Sequence, residues 1–113
     1  MNRVVVTGMG VVTPVGNDVK TFWDSLISGK CGVDFITKFD ASDFKVRIAA
    51  EVKDFDPSLY MEKGEIRKTD LYAQYAMAAA VEAMEDSAPD GKVDRERLGV
   101  SIGCGIGGMQ TFM

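Results

Sequence analysis

Few residues of this chain are of the types that do covalent chemistry. The 113 residues include two cysteines, Cys31 and Cys104, and no histidine. A Cys/His zinc site and a nucleophile activated by histidine are therefore excluded within these residues, and we expect no catalytic residue and no metal. We interpret both cysteines as small buried or half-buried residues, and in a cytosolic protein we expect no disulfide between them.

Two carboxylate pairs have a spacing that general acid–base chemistry could use. Asp54 and Asp56 form one pair, and Glu82 and Glu85 form the other. Both lie in polar segments that we expect to be exposed. Because catalytic carboxylates need a desolvated setting, we do not assign either pair a catalytic role.

Glycines form a second pattern that could bind a ligand. Gly103, Gly105 and Gly108 satisfy G-x-G-x-x-G between a predicted strand and a predicted helix start, as in a dinucleotide-binding turn. Gly8 and Gly10 follow the N-terminal strand without a third glycine. The alternative interpretation is that these glycines let the backbone pass close to a neighbouring element.

A small basic cluster precedes the longest apolar segment. Lys63, Arg67 and Lys68 are interrupted by Glu62 and Glu65. One interpretation is a solvated helix entrance. The other is a docking surface for an acidic partner, because cations are slightly unfavourable at a helix N-terminus and suggest a use.

Composition limits the class of protein. Hydrophobic residues make up 46% and charged residues 27%, and the formal net charge is −4, which disfavours nonspecific nucleic-acid binding. There is no apolar run of 18 residues and no signal-peptide pattern, so we expect a cytoplasmic protein that does not enter a membrane.

These residues must be positioned by an alternation of strands and helices. The β-branched run in 3–12 and the apolar segment 97–103 predict buried strands, and the two-residue period of 45–53 predicts a half-exposed edge strand. An apolar stripe predicts a helix capped by Asn17 and stopped by Gly29. Asp56 and Pro57 predict a short helical turn, and 109–113 the start of another helix.

Residues 71–84 predict a helix that is apolar on nearly every side. Only Gln74 and Glu82 are polar in this segment, so we expect it to be covered on more than one side. One small α/β unit with a mixed sheet can hardly supply both layers. Because the chain also ends inside a predicted helix, we expect residues 1–113 to be the incomplete N-terminal part of a domain.

Six motifs in order resemble the β-ketoacyl-acyl-carrier-protein synthases, especially the elongating type II enzymes of fatty-acid synthesis. They are residues 3–16, 22–33, 39–42, 52–55, 67–70 and 103–108. The resemblance implies a thiolase-like five-layered αβαβα fold with a mixed sheet. It also implies an acyltransferase that joins an acyl group to malonyl-acyl carrier protein by decarboxylative Claisen condensation, without a cofactor.

The resemblance also implies roles for particular residues. The family's catalytic cysteine and histidines correspond to no residue here, since Cys31 and Cys104 stand at usual serine positions. Arg67 and Lys68 match basic residues that dock acyl carrier protein, whereas Gly64 stands where relatives often have lysine. Ile106 matches a residue of the acyl pocket near the interface of a homodimer. The rivals are a polyketide ketosynthase, a non-catalytic partner subunit of the same fold, and a Rossmann-type dinucleotide-binding domain.

Overall fold

The computed structural model describes residues 2–109, which form helices, short strands and long extended segments. The chain divides into two compact units, one of residues 11–55 and the other of the first ten residues together with everything from Asp56 onward. The helices are α1 (Val19–Ile27), α2 (Lys63–Ile66) and α3 (Leu71–Ser87), the strands are β1 (Asp34–Phe35) and β2 (Ile48–Ala49), and 3₁₀ turns span Pro57–Leu59 and Arg95–Arg97. The predicted helix start at 109–113 lies outside the described residues, apart from Met109.

Helix α1 begins one residue later than the sequence predicts. Asp18 is its N-cap, because the Asp18 carboxylate accepts hydrogen bonds from the backbone N–H of Thr21 at 2.7 Å and from the Thr21 hydroxyl at 2.7 Å. These bonds, led by the backbone one, hold the pKa of Asp18 below its ordinary value of 3.8. Asn17 instead donates its side-chain amide to the carbonyl of Lys53, at 2.7 Å. Gly29, with φ +68°, ends the helix as predicted.

The edge strand predicted over 45–53 is present only as β2. It pairs antiparallel with β1, placing Asp34 opposite Ala49 and Phe35 opposite Ile48. Outside the two strands, a side chain also links the two segments. The Glu51 carboxylate accepts hydrogen bonds from the N–H and the hydroxyl of Thr37, at 3.1 and 2.8 Å. The hydroxyl bond is the main cause that lowers the pKa of Glu51.

Helix α3 is close to its predicted extent and ends three residues later, at Ser87. The N-terminal segment lies against it, with the backbone N–H of Met9 donating to the Asp86 carboxylate at 3.0 Å. A Cβ at Gly10 would collide with the carbonyl of Ala79, and a Cβ at Gly8 with the carbonyl of Ala83. The close-approach interpretation is therefore confirmed for Gly8 and Gly10.

The prediction of strands over 3–12 and 97–103 is wrong for this structure. Among the described residues neither segment enters a sheet, and Val4 is 92% and Val100 85% exposed. A strand requires a ladder of backbone hydrogen bonds with a neighbouring strand, and in the described ranges the sheet ladder includes neither segment. The second segment also begins in the turn Arg95–Arg97, where Asp94 accepts from the N–H of Glu96 at 3.1 Å.

Fewer residues of the two longer helices are buried than the apolar patterns predict. On α1 the buried residue is Ser25, whose hydroxyl donates to the Val15 carbonyl at 2.7 Å, while Trp23 of the apolar stripe is 60% exposed. On α3 only Gln74 and Ala78 are buried, so the expected covering on several sides is not found among residues 2–109. The α/β class is confirmed, but the described sheet is a two-stranded antiparallel one rather than a mixed one.

Candidate functional site

The basic pair predicted to dock a partner lies in the short turn between α2 and α3. Arg67 caps the C-terminus of α2, its N–H donating to the Lys63 carbonyl at 3.3 Å, and the N–H of Lys68 donates to the Glu65 carbonyl at 3.0 Å. Both side chains are exposed, and neither makes an ion pair with any residue between 2 and 109. The turn therefore presents two uncompensated positive charges to solvent.

Gln74, on the first turns of α3, fixes the backbone on both sides of this pair. Its side-chain nitrogen donates to the carbonyl of Ile66 at 3.2 Å and to that of Thr69 at 2.9 Å. The side chain is buried, with 7% of the residue exposed. In the sequence Gln74 is one of two polar residues of an apolar helix, and this isolation is the signal that singles it out.

The glycine-rich turn meets the start of α3. A Cβ at Gly108 would coincide with the carboxylate of Asp70, the N-cap of α3, so Gly108 allows the two segments to touch. A cavity of about 180 Å³ lies here, lined by Asp70, Leu71, Tyr72, Gly107, Gly108 and Met109. The structure thus places the glycine-rich turn beside Asp70, two residues after the basic pair.

Ile106 belongs to this turn but not to the lining of that cavity. Its side chain is 77% exposed. Gly107, with φ +78°, bends the backbone immediately after it, and the N–H of Gly107 donates to the Cys104 sulfur at 3.2 Å. The turn projects Ile106 outward, which leaves its predicted role in an acyl pocket a prediction.

The dinucleotide-binding interpretation of the turn loses its structural context. No strand leads directly into Gly103 in the described residues, and a Cβ at Gly103 or Gly105 would meet nothing within 4 Å. A dinucleotide-binding turn needs that strand to aim the glycines at a pyrophosphate. Gly108 is required instead by its contact with Asp70.

The remaining candidate groups are separate from this site. Cys31 and Cys104 are free and exposed, so the expectation that they are buried or half-buried is wrong; both occupy loops rather than packed elements. Asp54, Asp56 and Glu85 are exposed as expected. Glu82 is half-buried, so the expectation that it is exposed is wrong.

Asp56 has a structural role that accounts for its carboxylate. It caps the turn Pro57–Leu59, accepting from the hydroxyl of Ser58 at 2.6 Å and from its N–H at 2.9 Å, as the sequence predicted. The hydroxyl bond is the main cause that lowers the pKa of Asp56. Within residues 2–109 no group of three metal-ligating side chains converges, and no helix has the length and apolarity needed to cross a bilayer.

Comparison with known proteins identifies the class. The family model described as β-ketoacyl synthase, N-terminal domain, matches residues 1–112. A solved structure, the ishigamide ketosynthase/chain length factor, superimposes with a TM-score of 0.69 at 33% identity, over 84% of this chain and 23% of that one. The chain therefore belongs to the β-ketoacyl synthase family.

Among curated proteins, the chain is similar to several named 3-oxoacyl-[acyl-carrier-protein] synthase 2. It is 54% identical to that of Coxiella burnetii over 108 residues, which is 95% of this chain and 26% of the relative. It is 46% identical to that of Staphylococcus aureus and 48% identical to that of Vibrio harveyi, covering 97% of this chain and 27% of each relative. The chain thus spans about a quarter of the length of these relatives.

Proposed function

We propose that this chain is the N-terminal segment of a 3-oxoacyl-acyl-carrier-protein synthase that elongates fatty acids. The observation that carries the proposal is the family match over residues 1–112, together with identities of 46–54% to synthases of that name. The reaction is the decarboxylative Claisen condensation of a carrier-bound acyl group with malonyl-acyl carrier protein. It needs no cofactor, and it takes place in the cytoplasm.

In this proposal the segment supplies binding surface and not the reacting groups. The condensation needs a nucleophilic thiolate and partners that handle protons and carbon dioxide. The chain has no histidine, and both of its cysteines lie in exposed loops. We assign the nucleophile and the histidines to the part of the synthase that corresponds to the other three-quarters of its relatives, and we expect residues 1–113 alone to be inactive.

Docking of the carrier protein is assigned to Arg67 and Lys68. Acyl carrier protein is acidic, and a pair of exposed cations that has no carboxylate partner within the described part of the chain can attract it over about a Debye length, roughly 8–10 Å. Lys63 is also exposed, on α2. Gly64, on the same helix, adds no charge, so the surface carries one cation fewer than relatives with lysine there.

The exposed apolar segments support the larger fold. Val4, Val6 and Val100 are at least 82% exposed here, more than a finished core would allow. We propose that they become strands of a thiolase-like five-layered αβαβα fold with a mixed sheet, covered by the remainder of the synthase. The complete synthase is a homodimer in this proposal, with Ile106 in the acyl pocket near the interface.

A ketosynthase that makes a polyketide is the second candidate. The structural similarity to the ishigamide ketosynthase/chain length factor favours this candidate. The sequence identity to that structure is 33%, however, compared with 46–54% to the 3-oxoacyl-[acyl-carrier-protein] synthases. The fatty-acid function is therefore the one we propose.

The test uses a chimaera in which this chain replaces the matching quarter of the Coxiella burnetii synthase. Changing Arg67 and Lys68 together to Glu should weaken binding of acyl carrier protein mainly by slowing association, and the loss should shrink at high salt. Changing Lys92 and Arg95 together to Glu makes the same change in charge, one lysine and one arginine, at another exposed part of the chain and is the matched control. Unchanged association and salt dependence in the 67/68 variant, in a chimaera that condenses, would show that the pair is only a solvated helix entrance.

A further inference from the structure

The basic pair is held by a side chain that lies outside it. Two backbone carbonyls flank the pair, that of Ile66 before it and that of Thr69 after it. Ile66 is the last residue of α2, and Thr69 precedes the N-cap of α3. The Ile66 carbonyl is at the C-terminal end of α2 and has no partner inside that helix, and the Thr69 carbonyl lies outside both helices, so each needs a partner elsewhere.

Gln74 supplies that partner to both carbonyls at once, at 3.2 and 2.9 Å. An amide NH₂ has two donors, and here both neighbours are acceptors, so the orientation of the amide is fixed by chemistry. The residue is only 7% exposed, so its bonds compete little with water. The side chain therefore ties the two ends of the four-residue segment 66–69 to the rigid helix α3.

The two hydrogen bonds of Gln74 restrict the backbone that carries Arg67 and Lys68. These residues have long side chains in a short turn, and an untethered turn would spread their charges over many positions. Binding a partner would then have to order the turn, which weakens affinity. A turn anchored at both ends has already lost that freedom.

We propose that Gln74 is a positioning residue for carrier-protein docking, acting through the carbonyls of Ile66 and Thr69 on Arg67 and Lys68. The inference rests on the proposed function, because it gives the pair a partner. It predicts that the affinity for acyl carrier protein depends on a buried amide that the carrier protein does not touch.

The experiment changes Gln74→Met in the Coxiella chimaera, which keeps an unbranched side chain but removes both donors. We expect the KM for acyl-acyl carrier protein to rise about three- to tenfold, the equivalent of one or two lost hydrogen bonds, with kcat unchanged. The rate with a short acyl thioester that lacks the carrier protein should stay the same. A role in stability alone would affect both substrates.

Ala78→Gly is the matched control, since Ala78 is the other buried residue of α3 in the described structure, lies one turn away, and has a methyl side chain that cannot donate to the 66–69 carbonyls. It should weaken the helix without raising the KM for the carrier-bound substrate. If Gln74→Met does not fold, Gln74→Asn keeps the amide but shortens its reach and should raise the KM in the same way.

The outcomes separate this inference from the proposed function. If the 67/68 reversal raises the KM but Gln74→Met and Gln74→Asn do not, the positioning role is overturned and docking by the pair stands. Equal losses with the carrier-free thioester, or an equal rise in Ala78→Gly, would reduce Gln74 to a structural residue. If the 67/68 reversal itself has no effect, docking by the pair is wrong and the role of Gln74 falls with it.

Discussion

Single residues of this chain act through position more than through reactivity. Ile106 is the case where position decides between two roles, because it is a β-branched residue in a turn otherwise made of glycines and Cys104. Flexibility would favour another glycine there. In the synthase proposed above, this isoleucine, 77% exposed here, either packs against further residues or lines the acyl pocket.

Replacing Ile106 with Phe in the chimaera distinguishes these roles. If Ile106 lines the acyl pocket, the variant should keep its rate with the shortest acyl primers and lose it with long ones, since overpacking costs about 1–3 kcal/mol. Rates across a series of primer lengths, with a thermal melt, provide the measurement. A uniform loss at all lengths together with a lower melting temperature would assign Ile106 to structure.

Asp18 shows how a residue can define where an element begins. Its carboxylate caps α1 through Thr21, and the cap lowers its pKa below 3.8. The unfolded chain therefore protonates Asp18 at a higher pH than the folded chain does. The stabilisation is complete above the unfolded pKa and is lost as the pH falls through the folded one.

Asp18→Ala should therefore destabilise the chimaera by about 1 kcal/mol at neutral pH, and the difference from the parent should narrow as the pH falls below about 4. Urea unfolding at both pH values measures it. Asp24→Ala is the control, because the Asp24 carboxylate pairs, among the described residues, with exposed Lys20 on the same helix, and such an exposed pair contributes little to stability. Equal effects of the two substitutions would mean that Asp18 does not cap the helix.

At the scale of elements, the helices of the structure are the part that sequence predicts best. The apolar run at 71–84, the stop at Gly29 and the Asp56–Pro57 turn are local signals, and all three appear where the sequence places them. The strands at 3–12 and 97–103 fail because a strand depends on neighbours that local sequence does not contain. The role proposed for Gln74 could not be predicted either, because it depends on how the turn 66–69 folds back onto α3.

The close approach of the N-terminal segment to helix α3 can be tested by substitution. Gly10→Ala should destabilise the chimaera by about 1–3 kcal/mol, because the new Cβ would collide with the backbone carbonyl of Ala79. Gly64→Ala is the matched control, since its Cβ would meet nothing within 4 Å on helix α2 and should stabilise by up to about 1 kcal/mol. Melting temperatures that change alike in both variants would contradict the close approach seen at Gly10.

At the scale of the whole molecule, the chain contains surfaces that fit a larger enzyme. Valines of the N-terminal segment and of 97–103 are exposed, and the described residues contain only two buried hydrophobic residues, Ala41 and Ala78. The chain spans 26–27% of the relatives named 3-oxoacyl synthase 2. Motifs spread along the sequence predict the family, and the apolar patterns predict that these segments are covered, whereas the residues that would cover them cannot be predicted from this chain.

The proposed function is tested most directly by measuring formation of the β-ketoacyl product. The chimaera, incubated with acyl- and malonyl-acyl carrier protein, should form β-ketoacyl-acyl carrier protein at a rate within about tenfold of the unaltered Coxiella burnetii synthase, since a tenfold loss is only about 1.4 kcal/mol. Residues 1–113 alone should form no product above the buffer control. A folded chimaera without product, or turnover by residues 1–113 alone, would contradict the claim that this chain is the binding segment of a condensing enzyme.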